Sequence, residues 1–390
     1  MSSLSLLASH WPALAAAVLA ALGISLLVVR TQHHHGHLTM DSTLGVQKFH
    51  EEPTPRVGGL AIYLGVLVAW LLAKDAGARQ ILQTIALAGI PALAFGLLED
   101  VTKRVSVLTR LLATMASGVL AWWLTGIALN DLDIPFIDGA LKFLPVAVLL
   151  TAIAVGGVAN SINIIDGFHG LASGTALIAL LALAAIAAQA GDAPLALACV
   201  LVAAAVAGFW LLNFPWGKIF LGDGGAYFAG FALAWLTVLL PMRNPGVSPW
   251  AGLMVCAYPV IEVLYSIVRR FWQRQSPGAP DSLHLHSLVK TQFVRKKLSH
   301  WSKRQQNAAV SPVMWCYAAL PASIGVAFYD RPPLWLVAGL LVCLVVYHQV
   351  YKRLAAKRLR DTLKSMRAAS RQRRQKLAGG PSTRLATRAE

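Results

Sequence analysis

The stretch Gly156–Gly174, GGVANSINIIDGFHGLASG, lies between two long apolar runs and carries polar side chains spaced three residues apart. These side chains are Asn160, Asn163, Asp166 and His169. On a helix, residues three apart lie on roughly one face. Polar groups at membrane depth are costly and usually mark a binding site or a pathway. The stretch therefore predicts a functional surface at the end of a membrane span.

The composition is that of a membrane protein. Of the 390 residues, 57% are hydrophobic and only 13% are charged, and a soluble protein carries about twice that charged fraction. Apolar runs near the length of a bilayer span, about 20 residues, recur along the chain. We predict an all-α polytopic integral membrane protein with about 10–11 transmembrane helices. The predicted spans are roughly 11–30, 57–73, 80–98, 108–126, 141–159, 170–190, 194–212, 226–241, 250–268, 313–329 and 334–351.

The charge distribution gives an orientation. We divide the chain into a transmembrane domain, residues 1–351, and a basic tail, residues 352–390, that is partly helical or disordered. The loops that hold most of the Lys and Arg residues alternate with acidic ones, and the positive-inside rule places the basic ones in the cytoplasm. The net charge of +17 thus favours contact of the tail with anionic lipid over nucleic-acid binding. The predicted cytoplasmic loops are 31–56, 99–107, 160–169, 213–225 and 269–312.

Two acidic motifs lie in these loops. Glu99 and Asp100 are adjacent carboxylates, which repel each other unless a cation offsets them, and Lys103 follows three residues later. An ordinary ion pair at a helix end is the alternative. Asp223 stands between glycines, where a carboxylate can reach a hard cation while a phosphate approaches the backbone. A plain turn before a helix is the alternative there, and Asn213 lies ten residues upstream.

Basic and histidine motifs complete the set. Lys48 and Arg56, the latter followed by Gly58-Gly59, can clamp phosphate, although anchoring at the membrane surface also explains them. His284 and His286 could donate hydrogen bonds to phosphate; a zinc pair or two plain loop histidines are the alternatives. Together the motifs indicate a site for a phosphate-rich ligand and a divalent cation on one membrane face. Magnesium suits oxygen ligands and substrate phosphates.

In this order, the motifs resemble those of the polyprenyl-phosphate N-acetylhexosamine-1-phosphate transferases, glycosyl transferase family 4, which includes MraY and WecA. The resemblance implies that a polyprenyl phosphate attacks the β-phosphate of a UDP-amino sugar, and that UMP leaves. The sequences Pro-Arg-Val-Gly-Gly (55–59) and His-Leu-His-Ser (284–287) are closer to the WecA branch. That branch starts lipid-linked cell-surface polysaccharides such as O-antigen, with UDP-GlcNAc or a related deoxy-amino sugar as donor.

The resemblance also implies roles for residues. Asp223, with Asp100, would bind Mg²⁺ or Mn²⁺, and Glu99 and Asp100 would lie at the lipid phosphate, one of them as base. Glu99 and His169 stand where the family usually has Asp, which affects a base role for the first and uridine contact at the second. The implied nucleotide- and phosphate-binding residues are Lys48, Arg56, Lys103, Asn160, Asn163, Asp166, Asn213, His284 and His286.

Three other functions stay open at this point. They are a transporter or flippase of lipid-linked sugars, an MraY-like phospho-MurNAc-pentapeptide transferase, and a non-catalytic relative. The expected partners are a UDP-amino sugar, polyprenyl phosphate and anionic lipid, with no nucleic acid, and the oligomeric state, including a homodimer, is open. The expected location is the bacterial inner membrane, with the site facing the cytoplasm.

Overall fold

The structure is a computed structural model that describes residues 3–41, 53–275 and 281–378. Within these ranges the chain is almost entirely helical, and two short strands, β1 (Met40–Asp41) and β2 (Thr54–Pro55), pair antiparallel. A π-helical turn, Lys290–Val294, joins α14 to α15. The helices are α1 (Ser3–Arg30), α2 (Gln32–Thr39), α3 (Gly58–Leu72), α4 (Ala76–Ala88), α5 (Ile90–Thr102), α6 (Val107–Thr125), α7 (Pro135–Leu141), α8 (Leu144–Ile165), α9 (Leu171–Gln189), α10 (Ala193–Asn213), α11 (Gly222–Arg243), α12 (Pro249–Val255), α13 (Ala257–Trp272), α14 (Leu285–Val289), α15 (Arg295–Lys297), α16 (Lys303–Ala308), α17 (Val310–Phe328) and α18 (Pro333–Ala378).

The predicted fold class, an all-α polytopic membrane protein, is confirmed. By length and composition, the described ranges contain eight helices that could cross a membrane, or ten if each of two bent pairs is one span. The pairs are α4 with α5, bent by 42°, and α12 with α13, bent by 79°. Helix α3 is apolar but only 15 residues long. With α3, these elements account for all eleven apolar runs predicted as spans.

Local chemistry explains where helices begin and bend. Asp75, Ser106, Asp192 and Ser248 precede α4, α6, α10 and α12, and each side chain accepts a hydrogen bond from a backbone N–H of the first turn. Pro259, three residues after the break at Cys256, has no N–H to donate to a preceding carbonyl. The bend between α12 and α13 therefore lies where proline would be expected to put it.

Helix α11 is the centre of the bundle. It packs against α8, α5, α3 and α9, and most of its side chains from Asp223 to Pro241 are fully buried, including Tyr227, Phe228, Phe231 and Trp235. A helix that is apolar all round must be covered on every side. Its two ends carry the charged residues Asp223 and Arg243. The residues around those ends are therefore held by the most rigidly packed element of the fold.

Candidate active site

The start of α3 and the end of α5 both contact the N-terminus of α11. Backbone N–H groups of Gly58 and Gly59, at the start of α3, donate to the carbonyls of Phe220 (3.1 Å) and Leu221 (3.2 Å), just before α11. Gly222 has a φ of +72°, and a Cβ there would overlap the carbonyl oxygen of Arg56. Only glycine accepts that backbone conformation and that close approach together. The glycine-rich motifs found in the sequence therefore bring backbones into contact.

Asp100, at the end of α5, caps α11 from another part of the chain. Its carboxylate accepts hydrogen bonds from the backbone N–H of Asp223 (2.9 Å) and of Gly224 (2.9 Å). Leu221, the residue that precedes α11, has no side chain that could cap it. Asp100 is fully buried, and its charge complements the positive end of the α11 dipole. Nε of Arg56 lies 3.0 Å from the same carboxylate.

Asp223 is the carboxylate on which the polar side chains converge. Its Oδ1 accepts hydrogen bonds from Nη2 of Arg56 (3.1 Å) and from Nδ2 of Asn163 (3.2 Å). Its Oδ2 pairs with Nη1 of Arg110, at the start of α6. The hydroxyl of Tyr227 donates to Oδ1 of Asn163 (3.3 Å) and so orients the carboxamide. Arg56 therefore bridges Asp100 and Asp223, and four separate helices contribute to one polar cluster.

Asp166 adds a third carboxylate to the cluster. It lies one residue past the end of α8, and within the described ranges no hydrogen bond reaches its carboxyl group. Burial raises the pKa of this carboxyl to about 7; Arg56 opposes the rise, whereas Asp223 and Asp100 reinforce it. Three carboxylates thus face the two guanidinium groups of Arg56 and Arg110. When Asp166 is ionised the cluster carries more negative than positive charge, so an entering cation is stabilised and favours the ionised form.

A divalent cation fits this donor set through two carboxylates. Within the described ranges, no group of three or more His, Cys, Asp or Glu side chains is arranged to hold a metal ion. Magnesium, however, commonly uses one or two carboxylates and completes its shell with water and substrate phosphates. Asp166 has a carboxyl group without a hydrogen-bond partner in the described ranges, and Asp223 is its charged neighbour. Both oxygens of Asp100 accept hydrogen bonds from backbone N–H groups, which cannot move away, whereas the partners of Asp223 are side chains that can turn toward a phosphate.

The two loop histidines lie next to this cluster and have different surroundings. His284 is buried between Glu262, whose Oε1 lies 3.1 Å from Nδ1, and Asp281, whose Oδ2 lies 3.5 Å from Nε2. His286 stacks on His284 at 5.3 Å and packs edge-on against Phe168. Burial lowers the pKa of His286 to about 4, so its ring is neutral at pH 7.

His286 is the histidine closer to the acidic cluster. A Cβ built on Gly167, the residue after Asp166, would lie 3.4 Å from Nε2 of His286. Carboxylates occupy both ring nitrogens of His284, so it orders the loop. Of the two, His286 is therefore the one placed to meet a ligand at Asp166.

Asn213 and Asn160, two other predicted site residues, form hydrogen bonds within the protein around the acidic cluster. Asn213 accepts hydrogen bonds from Gly170 N–H (2.7 Å) and Ser173 Oγ (3.1 Å), and donates to the carbonyl of Ile219 (2.8 Å). Asn160 donates to the carbonyl of Gly156 (2.8 Å), one turn deeper in α8 than Asn163. Both carboxamides therefore organise the helices around the cluster.

Glu99, which is half-buried, and Lys103, which is exposed, flank Asp100 at the end of α5, and this edge of the cluster is here called its mouth. Glu99 accepts a hydrogen bond from Val105 N–H (2.8 Å), and Nζ of Lys103 donates to the carbonyl of Asp100 (2.6 Å). His169 packs against the turn that holds Gly217, and its Nδ1 lies 3.3 Å from the carbonyl of Pro215. Lys48 lies outside the described residues.

Two residues of the cluster were not predicted from the sequence. Arg110 at the start of α6 and Tyr227 in α11 contact Asp223 and Asn163 directly. A single Arg at the inside end of a span is typical of the positive-inside rule, so its position alone did not indicate a site. Tyr227 lies four residues after Asp223, one turn along the same helix face, and that spacing was an available signal.

Comparison with known proteins supports the family predicted from the motifs. The sequence model of glycosyl transferase family 4 matches residues 82–241, which include Asp100, Asp166 and Asp223. A probable undecaprenyl-phosphate N-acetylglucosaminyl 1-phosphate transferase of Bacillus subtilis is 28% identical over 241 residues, covering 62% of this chain and 66% of the relative. The match thus spans just under two thirds of that relative's length.

Two further relatives match over longer stretches. The decaprenyl-phosphate N-acetylglucosaminephosphotransferase of Mycolicibacterium smegmatis is 28% identical, covering 76% of this chain and 78% of the relative. The undecaprenyl-phosphate alpha-N-acetylglucosaminyl 1-phosphate transferase of Escherichia coli K12 is 27% identical, covering 79% and 82%. The resemblance predicted from the order of the motifs is thus confirmed by the match to the glycosyl transferase family 4 model and by these relatives.

Proposed function

We propose that this protein transfers N-acetylglucosamine-1-phosphate from a UDP-sugar to a polyprenyl phosphate, releases UMP, and so starts a lipid-linked polysaccharide of the O-antigen type. The names of the similar proteins support this acceptor class and this sugar. One observation carries the proposal for this chain. Asp100, Asp166 and Asp223 converge with Arg56 and Arg110 at one end of α11.

The reaction makes one bond and breaks one. A phosphate oxygen of the lipid bonds to the β-phosphorus of the UDP-sugar, and the bond from that phosphorus to the bridging oxygen breaks, so that the oxygen leaves with UMP. Such a transfer needs positioning and charge neutralisation more than covalent help from the protein. We assign neutralisation of the phosphates to Arg56 and Arg110, whose guanidinium groups reach Asp223 from the loop before α3 and from α6.

We propose magnesium, with manganese as a substitute, as the cofactor. When bound, it would neutralise the diphosphate and favour attack at phosphorus. Asp166 and Asp223 would hold it, and Asp100 would fix the N-terminus of α11 so that Asp223 keeps its position. This assignment moves Asp100 from the metal-binding role predicted from the resemblance to a positioning role. The reason is that both oxygens of Asp100 accept backbone hydrogen bonds, whereas the oxygens of Asp223 are held by side chains alone.

The other substrate contacts follow from placement. We assign Asn163 and His286 to the nucleotide-sugar, because both border the acidic cluster. Glu99 and Lys103, at the mouth, are assigned to the lipid phosphate. A Glu side chain is longer than Asp, and Glu99 already accepts a hydrogen bond from Val105. We therefore propose that Glu99 shapes the entrance, and we assign it no part in proton transfer.

We propose that the site faces the cytoplasm of a bacterial inner membrane. The end of the bundle with the acidic cluster also carries Arg56, Arg110 and the basic 281–297 segment, whereas the opposite end carries Asp131, Asp138 and Asp192. The positive-inside rule favours this orientation. Single cysteines placed at exposed Arg360 and exposed Asp131 would react with an impermeant reagent from opposite sides. Labelling of both from one side would contradict the orientation.

The central experiment measures UMP release. Purified protein, polyprenyl phosphate and magnesium would be tested with UDP-GlcNAc, related UDP-amino sugars and UDP-MurNAc-pentapeptide. We expect turnover with UDP-GlcNAc and a lipid product that retains the sugar. Preference for the pentapeptide donor would support the MraY-like alternative, and lipid movement without UMP would support a flippase. Absence of both UMP and lipid movement with every donor would leave only a non-catalytic relative.

The structure gives a physical reason to favour an enzyme over a flippase. A transporter site is expected near the middle of the membrane, between internal repeats. Here Asp100, Asp166 and Asp223 gather at one end of α11, and the middle of that helix is lined by the buried side chains of Phe228, Phe231 and Trp235. Lipid binding at the basic tail and the choice between monomer and homodimer stay predictions.

A further inference from the structure

The last helix is much longer than a membrane span. Helix α18 runs for 46 residues, from Pro333 to Ala378, which corresponds to about 69 Å at 1.5 Å per residue. About 20 residues are enough to cross the hydrocarbon core. The sequence changes from apolar to basic at Lys352. The second half of α18, here called the C-terminal extension (residues 352–378), therefore continues as helix beyond the apolar part.

The C-terminal extension docks on the segment that carries the two histidines. Arg358 donates from Nη1 to the carbonyl of Ser282 (2.6 Å) and from Nη2 to the hydroxyl of the same residue (3.1 Å). One turn of helix further along, Asp361 forms an ion pair with Lys296. Nζ of Lys357 lies 3.3 Å from the carbonyl of Gln292. Contacts from three positions within about one turn of the helix, 357, 358 and 361, thus fix both ends of the 281–297 segment.

The docked end of the segment leads directly to the site. Ser282 follows Asp281, whose carboxylate binds Ser266 Oγ (2.8 Å), pairs with Arg269 and faces His284. His284 stacks on His286, and His286 lies beside Gly167, next to Asp166. The contact of Arg358 with Ser282 is therefore two residues along the chain from His284 and four from His286, which borders the acidic cluster.

We propose that the C-terminal extension is a positioning element of the enzyme, with Arg358 as the residue that holds the 281–297 segment against the nucleotide-sugar side of the site. The inference rests on the proposed function and assigns a role to a part of the chain outside the family match, which ends at residue 241. A planar guanidinium that donates to two atoms of one residue fixes both distance and orientation. Arg358 does not touch the reacting groups.

The test compares Arg358→Ala with Arg358→Lys and with Arg360→Ala. Arg360 is an exposed arginine of the same extension, and it is the matched control. We expect Arg358→Ala to raise KM for the UDP-sugar about tenfold, the effect of losing a charge-assisted hydrogen bond, while KM for polyprenyl phosphate changes less than about twofold. Lys should restore part of the effect, because it can reach only one of the two Ser282 atoms.

Hydrogen exchange separates this proposal from the proposed function. Amides of residues 281–297 should exchange faster in Arg358→Ala than in Arg360→Ala, whether or not any donor is turned over. If both variants match the wild type in exchange and in KM, the proposal is wrong. If the wild type releases no UMP but the exchange difference is seen, the docking holds and the proposed function fails.

A charge swap keeps the proposal testable if Arg358→Ala does not fold. Lys296→Asp and Asp361→Lys should each speed amide exchange in the 281–297 segment, and the double variant should restore protection. Equal exchange in all three variants and the wild type would contradict docking of the extension.

Discussion

The two ends of helix α11 both join Asp to Arg, but they balance charge differently. At its C-terminal end, Arg243 donates to both oxygens of Asp192, at 2.7 and 2.9 Å, and Asn244 adds a third hydrogen bond at 3.2 Å. One carboxylate there meets one guanidinium, and every oxygen is satisfied. At the N-terminal end, three carboxylates meet two guanidinium groups, and Asp166 receives no hydrogen bond within the described ranges.

This difference separates a structural contact from a candidate catalytic site. The bidentate pair of Asp192 and Arg243 is balanced in charge without any ligand, and it holds the α9–α10 loop against the end of α11. An unbalanced acidic cluster is stabilised by whatever positive charge enters it, and a magnesium–diphosphate complex brings metal charge to carboxylates and phosphate charge to arginines. Both ends were formed by the same residue types, so composition alone does not distinguish them. The following variants test the distinction.

Asp223→Asn should have the largest effect on activity. The change keeps the size of the side chain but removes the charge that would face both arginines and the metal, so UMP release should fall by about a thousandfold or more. Asp192→Asn, the matched change at the other end of α11, should keep at least half of the wild-type rate. Equal losses in the two variants would show that both ends act through folding alone.

Asp166→Asn should lower activity and raise stability. The loss of one metal ligand should reduce turnover about a hundredfold and raise the magnesium concentration for half-maximal rate. Removal of a buried carboxyl crowded by Asp100 and Asp223 relieves repulsion, so the melting temperature in detergent without magnesium should increase. A lower melting temperature would mean that Asp166 is a structural residue.

Arg110→Ala should lower kcat/KM by about tenfold to a hundredfold, because one of two guanidinium groups at the phosphates is lost. Arg110→Lys should recover part of the activity, since the charge stays but the planar fork does not. Arg110 was not predicted from the sequence as a site residue, so this variant tests a role that only its contact with Asp223 indicates. A wild-type rate in Arg110→Ala would leave Arg56 as the sole arginine that neutralises the phosphates.

Arg243→Ala should have the smallest effect on activity, within about twofold of the wild type. It should instead lower the melting temperature, because Asp192 is left buried without its partner. The double variant Asp192→Asn with Arg243→Ala should be more stable than Arg243→Ala alone. If Arg243→Ala abolishes UMP release while the fold is retained, the two ends of α11 are coupled, and the distinction drawn between them fails.

The sequence predicted the spans well because hydropathy is local. Each predicted apolar run corresponds to a helix or a bent pair, and the family assignment followed from motif order. It could not show that the apolar runs 80–98 and 250–268 bend, by 42° and 79°. Such bends depend on packing as well as on Pro91 and Pro259, and a proline within a span does not specify an angle.

The sequence identified most residues of the site but did not predict the contacts between them. The motifs containing Arg56, Asp100, Asn163, Asp166 and Asp223 were identified, and the structure brings these residues together. That Asp100 caps α11 depends on two segments more than 120 residues apart, and no spacing rule covers such contacts. The structural role of Asn213 was equally hidden, since its three partners belong to the loops before α9 and α11 and to α9 itself.

The glycines at the start of α11 have a consequence for mutational tolerance. A Cβ on Gly59 would overlap the backbone nitrogen of Gly225, and one on Gly222 would lie 2.6 Å from Oδ2 of Asp100. The obstacles are largely main-chain atoms, which cannot swing aside as a flexible side chain can. In a saturation library screened for UMP release, these codons should accept only synonymous changes, although neither glycine carries a reactive group. Positions that hold backbones in close contact should thus tolerate substitution as poorly as the side chains that bind the substrate.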